Sequence, residues 1–165
     1  MKVTTRLMLI ACLALPFIVA CQKGEDEAQQ VAVKAPLAAP ATSDDNAWGE
    51  YLSDVVTRNM EGVTSNPYLY YLPAEDSADF AGSYERLQGE VNVAMQRGIL
   101  EGNLVAFGSP ASAKMADIIV SAFATVDAGS MKGVKLLFIG DSADSDRVQA
   151  AVAPAGVEYK FIEAK

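Results

Sequence analysis

From residue 44 to its end the chain reads as a small three-layer α/β domain with about four mainly parallel strands and β-α-β crossovers. Three features predict it. Two unbroken apolar runs, Leu104–Phe107 and Leu136–Ile139, are each followed by a turn and then by apolar residues at helical spacing. Consecutive apolar residues of this kind suit a central strand buried on both faces, which requires helices on both sides of the sheet. The final stretch VEYKFIEAK instead alternates Val157, Tyr159 and Phe161 with Glu158 and Lys160, as a strand at an edge or with one solvated face does. Strand, helix, strand, helix, strand is the grammar of parallel units joined by right-handed crossovers.

A first helix is expected from Asp44 or Asp45, whose carboxylate can accept from free backbone N–H groups, with Trp48, Leu52, Val55 and Met60 on its inner stripe. After Gly62, NPYLYYLP has bounding prolines and aromatic density, which favour a strand over Tyr68–Leu72. Its three tyrosines, Tyr68, Tyr70 and Tyr71, are expected to send phenol tips to the surface, the alternative being a stacking platform for a glycan or partner. Phe80, Tyr84, Leu87, Val91 and Met95 share one face of a second helix, with Ser77 as its cap and Gly98 as its stop. Gly82 and Gly89 each weaken that helix by about 1 kcal/mol relative to alanine, so packing has to hold it. Met115, Ile118, Ile119, Ala122 and Phe123 mark a third helix ending at Gly129. A shorter fourth spans about Ser145 to Ala153, before Pro154 and Gly156.

The first residues follow other rules. Lys2 and Arg6 precede an apolar run, Leu7–Ala20, broken only by Pro16, and the polar QKGEDEAQQ follows at once, which is the build of a secretion signal. The run is too short to span a bilayer, for which about 20 apolar residues are needed. Its end, Ile18-Val19-Ala20-Cys21, resembles the lipobox of bacterial lipoproteins. The resemblance implies that residues 1–20 are a signal peptide cut before Cys21. It implies too that the Cys21 thiol carries a diacylglycerol thioether and that the new amino group is acylated, with palmitate-like chains. Two or three chains anchor stably, at about 0.8 kcal/mol per buried methylene, where a single chain holds marginally. Gln22 stands where the enteric version of the family places an aspartate for inner-membrane retention, which implies the outer membrane. Residues 21–43, charged and amide-rich first and Ala/Pro-rich after, read as a flexible tether in which Pro36 and Pro40 oppose helix. Residues 44–165 are then one domain, long enough for a core of its own. That domain has a loose similarity to small bacterial lipoproteins, which implies no activity.

Loss of Lys2 and Arg6 with the signal leaves 11 of the 13 basic residues against 21 acidic ones, a formal charge of −10. Such a domain does not seek nucleic acid or anionic headgroups. The same cut removes Cys12, and Cys21 carries lipid, so no thiol is left for a disulfide and the fold rests on its core. The chain has no histidine, which excludes Ser-His-Asp and Cys-His catalysis and, with the thiols gone, the usual zinc sites. Neither S-x-x-K nor G-x-S-x-G occurs.

Ligands of parallel sheets bind beyond the carboxyl ends of strands, where two loops draw notice. In GSPASAK, residues 108–114, Ser109 is expected to cap a helix begun by Pro110. Free N–H groups there, with Ser109, Ser112 and Lys114, make a candidate site for a phosphate or carboxylate. The glycine spacings of the P-loop and the dinucleotide fingerprint are absent. In GDSADSDR, residues 140–147, Asp141, Asp144 and Asp146 are candidate ligands for Ca²⁺ or Mg²⁺, which take oxygen donors and can organise a hydrolytic water. Capping by Asp144 or Ser145 explains the same acids without a metal. No other cofactor is expected, and Lys114 or Arg147 can pair the two loops electrostatically.

The expected function is that of a lipoprotein on the periplasmic face of the outer membrane, held through lipidated Cys21 and acting as a non-enzymatic accessory or interaction domain for an envelope protein partner. The alternatives are a small-solute or divalent-cation-binding domain using loops 108–114 and 140–147, and a metal-dependent hydrolase built on the three aspartates.

Overall fold

The computed structural model describes residues 35–165. The expected signal peptide, the lipobox-like Ile18–Cys21 and the first part of the expected tether lie outside the described residues. The elements are α1 (Asp45–Arg58), β1 (Tyr68–Tyr71), α2 (Phe80–Arg97), β2 (Leu104–Gly108), α3 (Ser112–Phe123), β3 (Lys135–Gly140), α4 (Ser142–Val152), a 3-10 turn (Ala153–Ala155) and β4 (Glu158–Glu163). Among the described residues no helix is long and apolar enough to cross a membrane.

The strands form one sheet, all neighbours parallel, in the order β1-β2-β3-β4. When each right-handed crossover advances in the same direction, the connecting helices fall on the same face. Accordingly α2, α3 and α4 pack side by side on one face, burying Tyr70, Val105, Phe107, Leu136 and Phe138 of the sheet. The other face carries α1, whose Trp48, Tyr51, Leu52, Val55 and Val56 cover Leu104, Ala106, Leu137 and Ile139. The three-layer expectation holds, with β2 and β3 at the centre. β4 lies at an edge with the expected alternating exposure.

The register aligns aromatic residues across the whole sheet: Tyr70 opposite Phe107, Phe107 opposite Phe138, and Phe138 opposite Phe161. Tyr70 stacks on Phe107 with ring centroids 5.1 Å apart, and Phe138 and Phe161 lie 6.0 Å apart. Cross-strand aromatic pairs contribute about 0.5–1.5 kcal/mol each beyond their buried area, so this row fixes register as well as burying surface.

Several boundaries differ from the expected ones. The compact unit begins at Ala35, earlier than Asp44, because residues 35–43 have partners. Leu37 and Ala39 pack on the α1 face. The Leu37 N–H donates to Asp54 Oδ2 at 3.1 Å, the Ala39 N–H to the Lys165 carbonyl at 2.8 Å, and the Trp48 indole to the Thr42 carbonyl at 3.0 Å. Helix α2 starts at Phe80 after Asp79, and the Ser77 hydroxyl expected to cap it is buried with no partner among the described residues. Its predicted stop, Gly98, has φ of 79°. Helix α3 ends at Phe123, short of Gly129, whose N–H instead donates to the Pro154 carbonyl at 2.8 Å. Helix α4 starts at Ser142, a turn earlier than expected, with Asp141 in extended backbone at its N-cap.

Candidate functional site

Beyond the carboxyl ends of β2 and β3 the loops 108–114 and 140–147 lie side by side, and they bind each other. Ser112 stands between them, 5% exposed. Its hydroxyl donates to Asp144 Oδ2 at 2.7 Å and accepts from the Asp141 N–H at 2.8 Å. Asp144 is held from the other side by Arg147, whose Nε donates to Oδ1 at 3.0 Å. The same guanidinium reaches Asp117 Oδ1 at 2.6 Å and the Ala113 carbonyl at 2.7 Å. These bonds raise the Arg147 pKa, chiefly through the hydrogen bond with Asp117. The fork thus ties the start of α4 to α3, as the expected pairing of the loops through Arg147 requires.

Ser109 has a parallel task on the other side of β2. Its hydroxyl, 1% exposed, donates to the Leu72 carbonyl at 2.7 Å and accepts from the Ala111 N–H at 2.8 Å. It therefore clamps the ends of β1 and β2, while Ala111 occupies the N-cap of α3. Lys114 points away, toward a hollow lined by Phe80, Ala81, Tyr84 and Glu85. The expected anion-binding group is not brought together: two of its hydroxyls hold the backbone and its lysine faces another hollow.

The aspartates separate as well. Asp141 and Asp146 are exposed, while Asp144 is buried against Ser112 and Arg147. Among the described residues no three acidic side chains come together to hold a metal ion. The sheet order gives a further physical reason. Ligand crevices of open α/β sheets form where the strand order reverses, and an order running β1 to β4 never reverses.

What remains at these strand ends is an open cavity of about 290 Å³. Ser43, Trp48, Ser109, Pro110, Gly140 and Asp141 line it. Close packing fixes its walls. A Cβ on Gly140 would meet Ser112 Oγ at 2.6 Å; beside the cavity, at the end of β2, one on Gly108 would meet Leu52 Cδ2 at 2.3 Å.

Two other concavities were not evident from the sequence. At the amino ends of β3 and β4, Arg58, Lys135 and Lys160 converge with Glu61 and Glu158 around about 320 Å³. These cations close the carboxyl end of α1. Lys135 Nζ donates to the Glu61 carbonyl, Lys160 Nζ to Asn59 Oδ1 at 2.7 Å, and Arg58 pairs with Asp54 at 2.7 Å. The second is a groove of about 410 Å³ beside β1, lined by Tyr71, Pro73 and Leu87 with Asp45, Ser83, Arg86 and Glu90.

The three β1 tyrosines take three different environments and form no common platform. Tyr68 is exposed, Tyr70 is buried on Phe107, and the Tyr71 hydroxyl donates to Asp45 Oδ1 at 2.7 Å. Comparison with protein-family models, with curated proteins and with solved structures finds no match.

Proposed function

We propose that this protein is a lipid-anchored, non-enzymatic interaction domain, held on the periplasmic face of the outer membrane through Cys21 and serving an envelope protein partner. The observation that carries this reading is the use of the polar side chains at the strand ends. Ser109, Ser112, Asp144 and Arg147 each bind another part of the fold, so the position where such a sheet would do chemistry is a structural strut. The lipobox resemblance supports the anchor. At about 3.3–3.6 Å per extended residue, the link from Cys21 to Ala35 reaches no farther than about 50 Å, so a domain anchored there would meet partners within that distance of the membrane surface.

Crosslinking in cells from the native lipidated protein, followed by purification, is expected to recover a stoichiometric envelope partner. Repeated recovery of the protein alone would overturn the reading. Replacement of Cys21 by serine is expected to move the chain from the membrane fraction to the soluble one.

The cavity of about 290 Å³ at the strand ends supports a second reading, a small-solute-binding domain. Melting temperatures with phosphate, simple carboxylates, Ca²⁺, Mg²⁺ and chelator decide between them. A ligand at a hundredfold its Kd adds about 2.7 kcal/mol and raises the midpoint by several degrees. A flat panel favours the interaction domain.

A further inference from the structure

Among the described residues β1 pairs with β2 alone, so its outer side presents unpaired backbone N–H and C=O groups. Natural proteins blunt such edges with charges or cover. The opposite edge follows that rule: β4 carries Glu158, Lys160 and Glu163, and residues 39 and 165 pair across its end. β1 is Tyr-Leu-Tyr-Tyr, with no charge. Tyr68 is 46% exposed and Leu69 38% exposed. They point to opposite faces of the sheet, so a strand added here finds an apolar contact on each side. Pro67 and Pro73 bound the edge, which limits an added segment to about four to six residues.

The groove beside this edge says what kind of segment it takes. Tyr71, Pro73 and Leu87 make its apolar surface, and Asp45 and Glu90 contribute negative charge. Its one cation among the described residues, Arg86, is already turned onto Asp79 Oδ2 at 2.9 Å. Glu90 acts toward β1, since its charge helps to raise the Tyr70 pKa, after burial. A second copy of the chain is disfavoured, because pairing β1 with its symmetry mate would bring two acidic grooves together in a chain of formal charge −8 even before signal removal.

We propose that the open edge of β1 takes an extended segment of the protein partner in which lysine or arginine alternates with aliphatic residues, added as a fifth strand of the sheet. This rests on the interaction-domain reading and names the surface and the chemistry of the partner.

The test uses the lipidated protein in phosphatidylcholine vesicles and a fluorescein-labelled eight-residue peptide of alternating lysine and valine, with a glutamate-valine counterpart. Anisotropy is expected to show saturable binding of the basic peptide, at least tenfold tighter than the acidic one. Leu69→Lys is expected to weaken the basic peptide at least tenfold and to improve the acidic one. Gln149→Lys, the same charge change on the exposed side of α4, is expected to shift either by less than threefold. Equal binding of both peptides, indifference to Leu69→Lys, or a dimer that Leu69→Lys dissolves would each overturn the proposal.

A photocrosslinking residue placed in cells at Leu69, Glu50 or Gln149 separates this proposal from the reading beneath it. Partner capture at Leu69 supports both. Capture only at Glu50 or Gln149 overturns the β1 surface and leaves the interaction domain standing, and capture at none overturns both.

Discussion

Ser112 shows how a residue can be legible in type and place while its role stays hidden. The sequence puts a hydroxyl at the start of a helix beyond a buried strand, a position that suits an anion. It does not show that Asp144, thirty-two residues on, arrives within 2.7 Å and accepts the hydroxyl's hydrogen bond. Replacing Ser112 with alanine leaves the Asp141 N–H without its acceptor and removes one of the bonds holding Asp144. The expected loss is about 1–3 kcal/mol, seen as a lower urea midpoint with an unchanged m-value. Gly108 is a second residue whose meaning is tertiary. Its Cβ position lies 2.3 Å from Leu52 Cδ2, so Gly108→Ala is expected to cost about 1–3 kcal/mol by overpacking. The pair Gly108→Ala with Leu52→Ala is expected to be clearly less destabilised than the sum of the single changes, because the smaller side chain vacates the clash. Strict additivity in chemical denaturation would show that the contact does not limit packing there.

At the scale of elements, apolar spacing and runs identified most helices and strands, because spacing reports which face is buried regardless of the partner, while β1 was marked by its prolines and aromatic density and the fourth helix was bounded by Pro154 and Gly156. Ends were less legible, because they depend on local backbone bonds that the pattern does not encode. Ser109 has the composition of an N-cap, yet its hydroxyl bonds the Ala111 N–H and the Leu72 carbonyl, and α3 starts two residues later than expected, capped at Ala111. Residues 35–43 look like tether by composition, and they belong to the folded unit because Leu37 and Ala39 find the apolar face beside α1. Within α2, Gly89 serves no such purpose. It is exposed, and a Cβ there would have no neighbour within 4 Å among the described residues. Gly89→Ala is therefore expected to stabilise the protein by about 0.8–1 kcal/mol through helix propensity alone. A midpoint that stays put or falls in thermal unfolding would reveal a constraint on Gly89 beyond this helix.

For the whole molecule, the class was legible and the strand order was not. Right-handed crossovers permit several orders of four parallel strands, and apolar runs do not say which strands are neighbours. The order matters to function: without a reversal the strand ends hold only the open cavity of about 290 Å³ rather than a switch-point crevice, and the edge of β1 becomes a second open feature. Burial of aromatic residues in this architecture also sets the response to alkali. The phenols of Tyr51, Tyr70, Tyr71, Tyr84 and Tyr159 all titrate above the ordinary value of 10.0, first because of burial. Tyr71 is shifted most plainly, its hydroxyl being bonded to Asp45 as well. Above about pH 10 the unfolded chain loses these protons while the folded chain keeps them, so the unfolded state binds fewer protons and stability falls as pH rises. The contribution is complete below the unfolded pKa and is lost as pH climbs toward the folded one. Urea midpoints measured from pH 8 to 11.5 are expected to hold near pH 8–9 and then decline, with Tyr71→Phe declining less steeply because one raised phenol is gone. A parent and variant with the same slope would place the Tyr71 hydroxyl in solvent and break the link between α1 and β1.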